Sequence, residues 1–274
     1  MRGNEPGRDH ADMPQAQFET LATTLREAGA LALATFQAPV RSWLKDESSP
    51  VSEADIAVDT FLRERLAGPG SGTGWLSEET ADDRSSRQAR RLWIVDPIDG
   101  TRSYLAGRPD WAISVALVVD GRPVLAGVFA PVTDELFLAG AGTGATRNGA
   151  PINASRGEWL EGTKVAGPKR LVQALAAIEP RITIAPRIGS LALRLIRVAN
   201  GELDVAFASA SSHDWDLAGA DLLVHEAGGA LTTLAGRSLT YNQQNLVHDA
   251  LVAAGVARHI ALVALTRARL AEFS

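Results

Sequence analysis

The sequence predicts a mixed α and β protein of two packed subdomains, the first α+β and the second α/β, with the change near residue 152. Three observations predict it. Helical spacing governs residues 15–36, paired apolar runs fill residues 112–139, and beyond Ile152 short strands alternate with helices. The 274 residues, 46% hydrophobic and 22% charged, suffice for one large domain or two closely packed ones.

Residues 1–14 read as a loose, flexible tail: polar, mixed in charge, without the apolar run of a secretory signal. From Gln15 to about Phe36, Phe18, Leu21, Leu25, Ala28 and Ala32 recur at helical spacing. A second helix starts in Ser52-Glu53-Ala54-Asp55 and runs to about Leu66, before a Gly/Ser/Pro loop at 68–74. Arg91 to Val95 is a short apolar run entering Asp96-Pro97, a buried strand that the proline should stop. Ala112–Val119 and Val124–Ala130 form a hairpin across Asp120-Gly121-Arg122-Pro123, and Glu135–Ala139 adds a strand. This gives an N-terminal subdomain at 15–152. In the second subdomain, 153–274, strands at 182–184, 203–207 and 251–254 alternate with helices at about 190–199, 215–227 and 256–272.

Composition excludes several functions. There are no cysteines, so disulfides, thiolate metal ligands and a cysteine nucleophile are ruled out, and a reducing cytoplasm is the expected compartment. A net charge of −5 argues against binding a nucleic acid polymer. The late apolar stretch 251–270 is interrupted by Arg258, His259, Arg267 and Arg269, so no membrane partner is expected. The five histidines show no pairing at zinc-ligand spacing.

Three segments carry chemistry. In Trp93-Ile94-Val95-Asp96-Pro97-Ile98-Asp99-Gly100-Thr101 a strand delivers two carboxylates on one turn, and Gly100 lets backbone approach a ligand. Hard divalent cations take oxygen ligands, so Asp96 and Asp99 suit neighbouring ions; consecutive turns are the plainer alternative. A helix starting at Gly100–Thr101 would turn free N–H groups towards a phosphate. Trp75-Leu76-Ser77-Glu78-Glu79 is an apolar stub running into two acids, which alone could be a solvated face. Asp216, in Trp215-Asp216-Leu217-Ala218-Gly219, falls in the first turn of a helix, where capping is the alternative.

Together these segments resemble the inositol monophosphatase superfamily of lithium-sensitive, Mg²⁺-dependent phosphomonoesterases. Asp96 to Thr101 meets its D-P-[IL]-D-G-T pattern, Ser77-Glu78-Glu79 its upstream acids, Trp215 to Gly219 its W-D-x-A-[AG] element, and Lys45 with Pro50 to Asp55 its K…P-V-[ST]-x-A-D element. The resemblance implies a layered αβαβα sandwich and two or three Mg²⁺ ions. Glu78, Asp96 and the carbonyl of Ile98 would hold the first ion, and Asp96, Asp99 and Asp216 the second. Thr101, bonded to Asp55, would orient and help deprotonate the attacking water. The N–H groups of Gly100 and Thr101 would take the phosphate, with Glu79 and Lys45 in support. A homodimer acting on a small phosphate monoester is implied as well.

For the substrate, Arg102 after the D-G-T resembles the nucleotidase and histidinol-phosphate branches and would contact a second phosphate; a solvated side chain is the plain alternative. No acid occurs in Ser209-Ala210-Ser211-Ser212-His213, where many inositol phosphatases hold ring hydroxyls. The order of expectation is 3'-phosphoadenosine 5'-phosphate, then an inositol monophosphate, then histidinol phosphate. A catalytically idle regulatory member is the alternative of a different class.

Overall fold

A computed structural model describes residues 15–45 and 50–273. The predicted tail at 1–14 lies outside the described residues, as does most of the loop between Lys45 and Pro50. Five layers stack in the order helix, sheet, helix, sheet, helix. The outermost is a pair of helices, Gln15–Thr35 and Glu53–Leu66. Their apolar stripes, Leu21, Leu25, Ala28 and Ala32 on the first and Ala54, Val58 and Leu62 on the second, bury against the first sheet.

That sheet has seven strands in strict chain order: Gly74–Ser77, Arg91–Asp99, Ala112–Val119, Arg122–Ala130, Glu135–Gly140, Gly144–Arg147 and Ala150–Ile152. The first pair is parallel and the remaining pairs are antiparallel. On its other face lie Leu191–Ala199 and Asp214–Glu226, with a largely apolar core between sheet and helices. Small residues let the second of these helices sit close: a Cβ on Gly219 would come 2.7 Å from Ser114 Oγ. The same two helices bury Leu195, Val198, Leu223 and Val224 in a core shared with the second sheet. The second sheet runs Thr183–Ile184, Lys164–Ala166, Val205–Ala208, Leu251–Gly255 and Gly229–Thr233. Lys169–Ile178, Val256–Ala268 and Leu270–Phe273 close the far side.

The layered fold matches expectation, with local corrections. The strand from Arg91 does not stop at the proline; it continues to Asp99 through a register shift, where Asp96 faces Ser114 and Asp99 faces Ala112. Pro97 has no N–H to give the ladder, so pairing is interrupted there without ending the strand. The second sheet is only half α/β in wiring, because Leu251–Gly255 and Gly229–Thr233 pair antiparallel. Arg269 interrupts the last helix.

Candidate active site

The site forms where four elements end. The parallel pairing of Gly74–Ser77 with Arg91–Asp99 sets Ser77 beside Val95, and Glu78 N–H then donates to Val95 O at 3.2 Å. One step further along both strands, Glu78 comes beside Asp96. Past the register shift, Gly100 takes φ +93°, and a Cβ there would lie 3.1 Å from Ser190 N. Glycine is therefore needed for both conformation and space. The helix Thr101–Leu105 begins directly after it, as predicted. From the opposite side, Asp216 enters on the first turn of Asp214–Glu226.

Asp96, Asp99 and Asp216 each offer an oxygen within 4.8 Å of the others, and this is the one such group of three or more metal-ligating side chains among the described residues. It contains no histidine. These aspartates line a cleft of about 220 Å³ together with Glu78, Gly100, Thr101 and Arg102. Asp96 is 1% exposed and accepts one hydrogen bond, from Ile98 N at 3.1 Å. Burial pushes its carboxyl well above the usual range, and Glu78, Asp99 and Asp216 add to the rise. Asp216 is raised well above it too, by burial and then by Asp99. A buried carboxylate so poorly hydrogen-bonded, among like charges, calls for a cation. The donor set is entirely oxygen, which fits a hard divalent ion such as Mg²⁺.

Asp216 Oδ2 accepts from His213 N at 2.6 Å, closing a capping box, and the side chain still reaches the carboxylate cluster. Asp99 does something its motif does not announce. Its Oδ2 accepts from Ser190 Oγ and Ala192 N, both at 2.6 Å, and its Oδ1 from Leu191 N at 3.1 Å. It thus caps the helix Leu191–Ala199 from another layer. Burial still leaves its pKa raised, against the pull of those bonds.

Thr101 Oγ1 lies 3.2 Å from Asp55 Oδ1 and 3.1 Å from Ile98 O. Asp55 is fixed by Ser52, whose N–H and Oγ donate to Oδ2 at 2.8 and 2.6 Å. Lys45 Nζ reaches Glu79 Oε1 at 2.5 Å and Glu78 Oε1 at 3.1 Å. Burial pushes Glu79 up to about 7 even with that lysine beside it. Burial works against charge on Lys45, yet Glu78 and Glu79 hold its pKa above the ordinary value.

The structure therefore brings Glu78, Asp96, Asp99, Gly100, Thr101, Arg102 and Asp216 to one cleft, with Asp55, Ile98, Glu79 and Lys45 behind or beside it. Sequence reasoning missed Arg108 and Arg187, which line the same cleft. Arg108 donates to Ser103 Oγ at 2.5 Å and pairs with Asp110, while Asp110 Oδ2 accepts from Gly189 N at 2.6 Å. The Arg108-Pro109-Asp110 turn carried a polar signal; Arg187, on the loop before a distant helix, carried none.

A model of the inositol monophosphatase family matches residues 15–265. An inositol-1-monophosphatase of Rhizobium meliloti is 37% identical over 203 residues, covering 70% of this chain and 75% of that protein. A histidinol-phosphatase of Mycobacterium tuberculosis is 34% identical over 206 residues, covering 70% and 77%. The 3'(2'),5'-bisphosphate nucleotidase CysQ of Haemophilus influenzae is 27% identical over 220 residues, covering 76% and 81%. Among solved structures, the extragenic suppressor protein SuhB of Bartonella henselae superimposes with a TM-score of 0.81 at 27% identity, covering 91% of this chain and 98% of that one.

Proposed function

Because the chain belongs to the inositol monophosphatase family, whose members are Mg²⁺-dependent hydrolases of phosphoric monoesters, we propose that it acts on a small metabolite bearing a second anionic group, with 3'-phosphoadenosine 5'-phosphate first. One observation carries the choice: the cleft that holds the carboxylates is also lined by Arg102, Arg108 and Arg187. Carboxylates with their ions suit the reacting phosphate, whereas guanidinium groups suit a second one by bidentate hydrogen bonding. An inositol monophosphate is the second reading, favoured by the inositol-1-monophosphatase at 37% identity.

In this reading Glu78, Asp96 and the Ile98 carbonyl would hold one ion, and Asp96, Asp99 and Asp216 another, with Glu79 supporting a third, weaker one. Divalent ions held there would supply charge neutralisation for the phosphoester dianion and a lowered pKa for the attacking water. Thr101 donates its hydroxyl hydrogen bond to Asp55, so that its oxygen lone pair is left to accept a hydrogen bond from that water and aim it at phosphorus. Asp55 is held for this by Ser52. The N–H groups of Gly100 and Thr101 face the phosphate oxygens. As the new P–O bond forms the water gives up a proton, the ester P–O bond breaks, and the leaving oxygen takes up a proton from solvent to depart as the alcohol, without a covalent enzyme intermediate. A homodimer in the cytoplasm belongs to the same proposal, and sedimentation equilibrium checks its mass.

The test is phosphate release with Mg²⁺, with and without lithium, from adenosine 3',5'-bisphosphate, inositol 1-phosphate, histidinol phosphate and fructose 1,6-bisphosphate. Arg187→Ala should raise KM for the bisphosphate about tenfold or more, while costing the monophosphates little. Equal losses on both classes would remove the second-anion role.

A further inference from the structure

The helix Glu53–Leu66 packs Ala54, Val58 and Leu62 against the large sheet, yet two of its buried side chains are carboxylates, Asp55 and Asp59. Asp55 has its role through Thr101. Asp59, four residues on and 6% exposed, has none in the reaction described above. Burying a carboxylate beside such a stripe is costly unless its oxygens are satisfied. Both are satisfied, and by one segment: Oδ1 accepts from Ser77 Oγ at 2.5 Å and Oδ2 from Thr80 Oγ1 at 2.7 Å. Ser77 and Thr80 bracket Glu78 and Glu79. With its hydrogen directed at Asp59, Ser77 Oγ accepts in turn from Glu79 N at 3.3 Å.

The sheet holds this segment only as far as Glu78, whose N–H donates to Val95 O; the strand itself ends at Ser77. Past that point Lys45 reaches both glutamates, but through a long side chain with many rotamers. Asp59 grips the segment on both sides of the acids from a rigid helix. We propose that Asp59 is a positioning residue for the cation site: by holding Ser77 and Thr80 it sets where Glu78 and Glu79 present their carboxylates. Asp55 lies four residues, or about 6 Å, away on the same helix, so one rigid element places Glu78 relative to Thr101. Partners that orient a metal ligand in this way commonly govern ion affinity. The inference rests on the reading of Glu78 as a ligand of the first ion.

The test titrates Mg²⁺ into the metal-free full chain by isothermal calorimetry, with circular dichroism showing that each variant is folded at the working temperature. Asp59→Ala should weaken one class of Mg²⁺ site about tenfold or more and leave the other within about twofold. The Mg²⁺ concentration for half-maximal turnover should rise by the same factor, while kcat recovers at saturating Mg²⁺. Asp59→Asn keeps one acceptor and can donate to the other hydroxyl, so it should restore much of the affinity. Thr80→Val removes one hydroxyl and should cost about threefold, the loss of a single hydrogen bond; it carries the comparison if Asp59→Ala does not fold. Glu78→Gln supplies the control. Because Asp59 acts through Glu78, neither Asp59→Ala nor Thr80→Val should weaken Mg²⁺ binding further in the Glu78→Gln background. Losses that multiply in the double variants overturn the proposal, as does wild-type affinity in Asp59→Ala or Thr80→Val while Glu78→Gln is weakened. Wild-type affinity in Glu78→Gln instead removes the ligand assignment itself, and the proposal falls with it.

Discussion

Replacing Asp96 by Asn should stabilise the metal-free protein while removing its response to Mg²⁺. Asp96 is 1% exposed and shares a 4.8 Å cluster with Asp99 and Asp216. At that separation and an effective dielectric of about 20, each like-charge pair costs about 3.5 kcal/mol. Proton uptake and relaxation relieve most of this, leaving on the order of 1–3 kcal/mol held against the fold. Asn keeps the one hydrogen bond that Asp96 makes, because its carbonyl oxygen can still accept from Ile98 N. With about 2–4 °C per kcal/mol for chains approaching this size, the midpoint in EDTA should rise by about 2–12 °C. Saturating Mg²⁺ should raise the wild-type midpoint by mass action and leave that of the variant nearly unmoved. Asp99→Asn is the control: its carboxylate accepts three hydrogen bonds at a helix start, so neutralising it should bring no gain. Thermal unfolding followed by circular dichroism measures all three. An Asp96→Asn midpoint below wild type in EDTA, or an undiminished Mg²⁺ response, would refute the reasoning.

Further substitutions test the frame around the site. Thr101→Val should lower kcat by about 100-fold or more with the fold intact, whereas Thr101→Ser should retain much of it, as steady-state kinetics would show. Gly100→Ala, at φ +93° and 3.1 Å from Ser190 N, should cost about 1–3 kcal/mol in denaturant unfolding together with most activity. Glu135 joins its strand to the helix Leu191–Ala199 through Arg197 at 2.5 Å, and that bond holds its pKa down at about 2. A carboxylate lowered in the folded state stabilises fully above its unfolded pKa near 4.5 and loses that contribution as pH falls towards about 2. The gap in melting temperature between wild type and Glu135→Gln should therefore be widest above pH 5 and shrink on acidification.

Much of the fold was legible in the sequence wherever one pattern governed a long segment. The helical stripe from Phe18 to Ala32 and the apolar runs of 112–130 needed no context to be read. Short elements were not legible: Gly74–Ser77 has four residues buried on both faces, which leaves no alternation to detect, and Lys164–Ala166 is only three residues long. Carboxylates on local motifs were found because each motif is contiguous. Arg187 and Ser190 were not, since they reach the cleft from about 90 residues away through the packing of another layer, and local spacing carries no trace of that.

The capping of Leu191–Ala199 by Asp99 bears on how such a protein can change over time. A descendant released from catalysis could replace Glu78, which lies at the rim with its pairing to Lys45, at small cost to folding. Replacing Asp99 would leave Ser190 Oγ and the N–H groups of Leu191 and Ala192 without their acceptor in a buried seam between layers. Selection for a stable chain alone would hold Asp99 in place. Its presence in a relative is thus weak testimony to activity, and the survival of Glu78 is the better witness.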